Sequence, residues 1–158
     1  MTDDILLARA LHVLLVVHWI GGLAFVTLIV LPLAMSCPTA EGALALFNGV
    51  EQRFAAQLRL TMPLAGAAGL WMTYRMELWA RFLDPHFWWM TAMLGLWLFF
   101  MLMLFVLEPL LHARFEERAR RDPLPVFRKM TILHALLLAC AALTILGTVA
   151  GAHGFLLP

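Results

Sequence analysis

Apolar and polar positions in this chain alternate in long blocks. From Leu11 to Leu31 there is no Asp, Glu, Lys or Arg. A bilayer core is crossed by about 20 mostly apolar helical residues, and four stretches meet that length, over about 10–33, 57–78, 87–111 and 130–152. The second is the weakest, because its apolar run from Leu60 to Tyr74 borrows flanking residues to reach the length. Pro63 falls early in that stretch, where proline is tolerated. Pro32, Pro38, Pro109 and Pro123 fall near expected helix ends and read as breaks. The start, MTDD, is acidic, and the run after it is longer than the apolar core of a signal peptide, so a retained first helix is expected. The pattern predicts an all-α fold: an integral membrane four-helix bundle in a single domain, residues 1–158, with 112–129 as a loop.

Composition agrees. The chain is 63% hydrophobic and 13% charged, with a mean hydropathy of +0.88. Soluble domains are nearer a quarter charged, so too little polar surface is present to cover a water-soluble globule. The formal net charge of +1 gives no reason to expect a nucleic-acid partner; lipid is the expected surrounding.

Charge sets the expected orientation, since Lys and Arg in short loops mark the cytoplasmic side. Arg53, Arg59, Arg114, Arg118, Arg120, Arg121, Arg128 and Lys129 fall on one side of the spans, and Arg9, Arg75 and Arg81 on the other. Both termini are therefore expected outside, on the periplasmic face of a bacterial inner (cytoplasmic) membrane that the chain crosses several times. Trp71, Tyr74, Trp79, Phe87, Trp88 and Trp89 gather around the second connection, where aromatic rings favour the headgroup level. Trp19 and Trp97 fall deeper, where they pack or line a site.

Helices in lipid associate by close packing of small residues. Gly147 and Gly151 are four apart in GTVAG, Gly66 and Gly69 stand in PLAGAAG, and Gly21 and Gly22 follow Trp19. Two faces of small residues allow a homodimer or a place in a larger complex. Met90, Met93, Met101 and Met103 are flexible filler or soft metal ligands. Cys37 and Cys140 are too far apart in depth for a disulfide and form no CxxC.

The chemistry-bearing residues are histidines: His12, His18, His86, His112, His134 and His153. Polar groups inside spans are functional candidates, because burying them unpaired is costly; the plainer alternative is a hydrogen bond that joins two helices. At 1.5 Å per residue from the span midpoints, His12 falls about 12 Å, and His86 and His153 about 18–20 Å, toward the outside. His18 falls near the middle, with His134 about 10 Å and His112 about 20 Å toward the inside. His12 and His18, six residues apart, point about 120° away from each other and cannot share one ion from a straight helix. An apolar bundle with axial histidines and small residues against a flat ring can hold haem. Absence of CxxCH leaves b-type haem. The candidate cofactor residues are His12, His18, His134, His153, Gly21 and Gly22, and the candidate metal ligands His12, His153, His134, His86 and His112. By depth, His12 suits His153 or His86 better than His18 suits His134. Glu108, about a turn from His112, is either a helix-end carboxylate or a proton-relay or quinone-site residue. Arg59 reads as a snorkelling anchor.

The stretch RALHVLLVVHWIGGLAFVTLIVLP, with His12, Trp19, Gly21, Gly22, Phe25 and Leu31-Pro32, resembles the first helix of the HemJ-type protoporphyrinogen oxidases and the CopD-type copper-resistance membrane domains. FRKMTILHALLLACAALTILGTVAGAHG is similar to the CopD-type pattern of a charged start, an inner His and a Gly-rich end. The resemblance implies haem b binding with His12 as an axial ligand. The HemJ-type family also carries a functional Lys in a later helix, whereas the one lysine here is Lys129, at a loop edge. The expected function is a b-type haem protein that transfers electrons, between a quinol or quinone and a membrane or periplasmic partner. The alternatives are a HemJ-like protoporphyrinogen oxidase and a CopD-like copper transport or accessory protein. An oxidoreductase is the enzyme class these readings allow.

Overall fold

The computed structural model describes residues 3–154, which form four long helices joined by short connections. We label them α1 (Asp3–Met35), α2 (Ala40–Arg75), α3 (Pro85–Arg121) and α4 (Pro123–Ala152). No strand is present among the described residues. Helices α1, α3 and α4 are long and apolar enough to cross a membrane, and large hydrophobic side chains such as Leu14, Val17, Leu28, Leu136 and Leu146 lie exposed along α1 and α4. Helix α2 is not among them. It begins at Ala40, well before the expected second span, and carries Glu41, Glu51, Arg53 and Arg59 in its first twenty residues.

Two of the expected breaks lie inside helices. Pro32 and Pro109 each follow a π-helical turn, Val26–Val30 in α1 and Met103–Leu107 in α3. A proline lacks the N–H that would bond the carbonyl four residues back, and its ring pushes that carbonyl away. The π turn widens the coil just ahead of the ring: Leu31 N–H bonds Val26 O and Glu108 N–H bonds Met103 O, each five residues back. The helix therefore passes its proline instead of ending. Pro63 likewise lies inside α2 rather than near its start.

The expected loop 112–129 is helical except at Asp122. Helix α3 continues to Arg121, supported four residues apart by the Arg121–Glu117 and Arg120–Glu116 pairs. Asp122 takes an extended backbone ahead of Pro123, which opens α4 at the position where a proline's missing N–H is no loss. Thr39 caps α2 by accepting from Gly42 N at 3.1 Å.

Two apolar cores hold the helices together. Near the arginine-rich end, Phe127 is fully buried against Phe47 and Phe115, with Leu31, Ala34, Ala43 and Ala119 around it. Deeper, Trp19 meets Phe100 edge-on, with ring centroids 4.8 Å apart, above Ala55, Leu58, Met62 and Leu104. At the opposite end, Trp88 and Trp89 of α3 lie on Gly147 and Gly151 of α4, and Arg75 donates to Asp4 at 2.9 Å.

Candidate functional site

A cavity of about 330 Å³ opens between all four helices at the end that carries the start of α1 and the end of α4. That volume falls in the usual range of small-molecule sites, about 300–1,000 Å³. His12 of α1 lines it. The His12 Nδ1 lies 2.8 Å from the Ala65 carbonyl oxygen of α2. A carbonyl only accepts, so Nδ1 carries a proton, which in the neutral imidazole leaves the lone pair on Nε2. The ring reaches α2 because residue 69 is glycine: a Cβ there would lie 3.2 Å from His12 Cε1 and 3.4 Å from Nδ1.

The rest of the lining is mostly apolar, with a few polar groups. Trp19 and Trp97 both line the cavity. The Trp97 indole N–H donates to Met62 O at 2.8 Å across the bare backbone at Gly66, whereas the buried Trp19 Nε1 has no hydrogen-bond partner among the described residues. Arg9 and Arg81 line the same cavity, as do Met72, Met76, Met90 and Met93. The Thr148 hydroxyl, which donates to Thr144 O at 2.8 Å, lies 3.7 Å from Met93 Sδ.

These groups fit a b-type haem. A histidine with a free Nε2 and an Nδ1–H fixed by a backbone carbonyl is the form in which imidazole binds a metal. Apolar walls suit the macrocycle, the two guanidiniums suit its carboxylates, and methionine sulfur is the other neutral axial donor that proteins pair with histidine.

The remaining candidate residues stand elsewhere. His18 packs edge-on against Phe54 at 5.8 Å, and its buried Nε2 has no partner among the described residues. His134 Nδ1 lies 2.9 Å from Met130 O, and His153 Nδ1 2.8 Å from Val149 O, each on its own helix. His86 is exposed between α2 and α3, where its backbone N–H and its ring both bond Asp84 Oδ1, at 2.9 and 2.8 Å; the first of these bonds, then the second, holds the Asp84 carboxyl below its ordinary range. The cavity therefore gathers none of His18, His86, His134 or His153 beside His12. Nor do the expected glycines face it. Gly21 meets open space, Gly22 is covered by Phe54, Gly147 by Trp88 and Gly151 by Trp89. The glycines that border the cavity are Gly66 and Gly69.

His112 belongs to a second group. Glu51 of α2 and Glu108 and His112 of α3 bring one ligand atom each to within 4.8 Å of one another, all partly buried. Arg59, expected as a snorkelling anchor, donates to Glu108 Oε2 at 2.7 Å and so is an ion-pair partner. Neither Glu51 nor the cavity arginines stand out in the sequence, because their partners are far away along the chain. The Glu108–His112 spacing, one helical turn, is the part of this group that was visible there.

No protein-family model matches the chain, and no curated protein or solved structure is detectably similar to it.

Proposed function

We propose that this chain is a membrane-embedded b-type haem protein that transfers electrons, with the haem in the His12 cavity. The observation that carries the reading is the His12 ring, bonded through Nδ1 to Ala65 O and lining a mostly apolar cavity of about 330 Å³. Haem, when bound, supplies a one-electron couple. His12 would hold the iron, with Met90 or Met93 as the second donor. Arg9 and Arg81 would hold the propionates, and the apolar walls would exclude water. On this reading the later part of α2, from about residue 57, is the fourth span of a bundle in a bacterial inner membrane, and Glu51 lies before it. Both termini and the cavity then lie toward the periplasm, where a periplasmic partner or a quinol in the outer leaflet can reach the cavity.

An optical spectrum of the detergent-purified protein, oxidised and dithionite-reduced, tests this. The expected result is a Soret band that His12→Ala abolishes while Glu117→Gln leaves it in place. A wild-type chain that takes up no haem when haemin is supplied, or a His12→Ala variant with an unchanged spectrum, overturns it.

One observation favours a second reading. Four thioethers and one imidazole around a single cavity are also a soft donor set suited to Cu(I). Metal analysis that finds copper and no iron would select this copper-handling function.

A further inference from the structure

The cavity leaves the Glu51–Glu108–His112 group unused, since none of the three lines it. Glu108 and His112 are four residues apart on α3, so they share a face and bring a carboxylate and an imidazole together in the first turn after the π segment. π-helical turns are frequent at functional sites. Glu51 meets them from α2, 57 residues earlier in the chain.

As an ion-pair network the group is incomplete. Arg59 is the nearest fixed cation, and it bonds Glu108 Oε2 at 2.7 Å. Glu116 Oε1 accepts from Asn48 Nδ2 at 2.7 Å, while His112 Nε2 lies 3.7 Å from it, beyond hydrogen-bond range. Arg120 lies 3.8 Å from the other Glu116 oxygen. Glu51 Oε2 is buried and has no partner among the described residues. A buried carboxylate oxygen without a donor is costly, and a second carboxylate within 4.8 Å adds repulsion. Burial first, and then the Glu108 charge, push the Glu51 carboxyl up from its ordinary range, against the pull of His112 and Arg59.

We infer that Glu51, Glu108 and His112 bind one divalent transition ion of mixed nitrogen and oxygen preference, Zn²⁺, Mn²⁺ or Fe²⁺, at the arginine-rich end of the molecule. Two carboxylates balance its charge. The imidazole selects transition ions over Ca²⁺ and Mg²⁺, which prefer oxygen alone. Three protein ligands leave positions for water. Asn48 and Arg120 hold Glu116 beside His112, and Arg59 fixes one Glu108 oxygen while its other stays open to the ion. The ion ties α2 to α3, and its binding weakens as pH falls, because protons compete for the same three groups.

Equilibrium dialysis of the full-length, metal-stripped protein in detergent against ZnCl₂ and MnCl₂ tests the site. One equivalent per chain is expected. Glu51→Gln and His112→Asn should each lower the affinity roughly tenfold or more, whereas His12→Ala and His86→Gln leave it unchanged. The His12→Ala arm separates this site from the haem cavity. No saturable equivalent, equal binding by the Glu51 and His112 variants, or loss of the equivalent in His86→Gln overturns the assignment. Mn²⁺ spin resonance on the unmutated protein serves if a variant does not fold. Hyperfine coupling to one imidazole nitrogen is expected, and its absence refutes the site.

Discussion

His12 shows how much a single residue can settle here. Its proton is placed by a carbonyl on the facing helix, and its reach is set by the missing side chain at Gly69. Gly69→Ala therefore acts in two opposite directions. Within the helix, alanine gains about 1 kcal/mol over glycine. At the ring, the added methyl comes to 3.2 Å of Cε1 and pushes the imidazole off Ala65 O. The expected outcome is a variant whose thermal unfolding is unchanged or slightly raised but whose haem affinity falls several-fold, read by titration with haemin. Glu51 gives a second expectation at this scale. Its carboxyl is raised in the folded chain, so folding favours its protonated form. The resulting destabilisation is absent at acid pH and grows as pH rises through the raised value. In metal-free protein, Glu51→Gln should therefore raise the unfolding temperature at pH 8 and do little at pH 4. An equal effect at both would remove the argument. Neither Ala65 nor Glu51 was readable from the sequence. The pattern marked His12 as a polar group in an apolar run, but Ala65 and Glu51 carry no signal until two helices are laid side by side.

Element-scale features were read with mixed success, for physical reasons. The three long apolar helices were plain, since composition alone reveals them. The prolines misled: Pro32 and Pro109 look like stops, and only the backbone shows that a π turn lets each helix continue. The charged segment after residue 112 looked like a loop because polarity resembles solvent exposure, yet its Glu and Arg residues pair along a helix. Of the small residues marked as contact points, Gly66, Gly147 and Gly151 lie against tryptophan, Gly22 against Phe54 and Gly69 against His12, whereas Gly21 meets open space. A Cβ at Gly66 would lie 2.3 Å from Trp97, and one at Gly151 2.2 Å from Trp89, while Gly95 faces open space. Overpacking of this kind costs about 1–3 kcal/mol. Gly66→Ala and Gly151→Ala should therefore each lower the unfolding temperature in detergent, Gly66→Ala also losing the Trp97 bond to Met62 O. Gly95→Ala should raise it slightly. Three variants shifting alike would show that these close approaches do not decide helix packing.

At the scale of the whole molecule, the two ends differ in kind. One carries the His12 cavity, with Trp88 and Trp89 packed on the glycines of α4; the other carries the fully buried Phe127 cluster and most of the basic residues. A basic end is retained in the cytoplasm during insertion, which would place the cavity toward the periplasm and the Glu51 group toward the cytoplasm. The native cysteines report on this directly. Cys37 lies in the turn between α1 and α2, at the basic end, and is partly exposed. Cys140 is exposed too, but it lies in the middle of α4, on a helix apolar enough to sit among lipid tails. A membrane-impermeant maleimide should therefore leave both thiols unlabelled in intact spheroplasts and label Cys37 alone in inverted vesicles. Glu77→Cys, in the left-handed turn after α2, should show the reverse, reacting from the outside only. Labelling of Cys37 in intact spheroplasts would invert the topology and with it the side from which an electron partner reaches the cavity. Labelling of Cys140 from either side would mean that α4 is not surrounded by lipid. The exposed leucines of that helix would then belong to a protein interface.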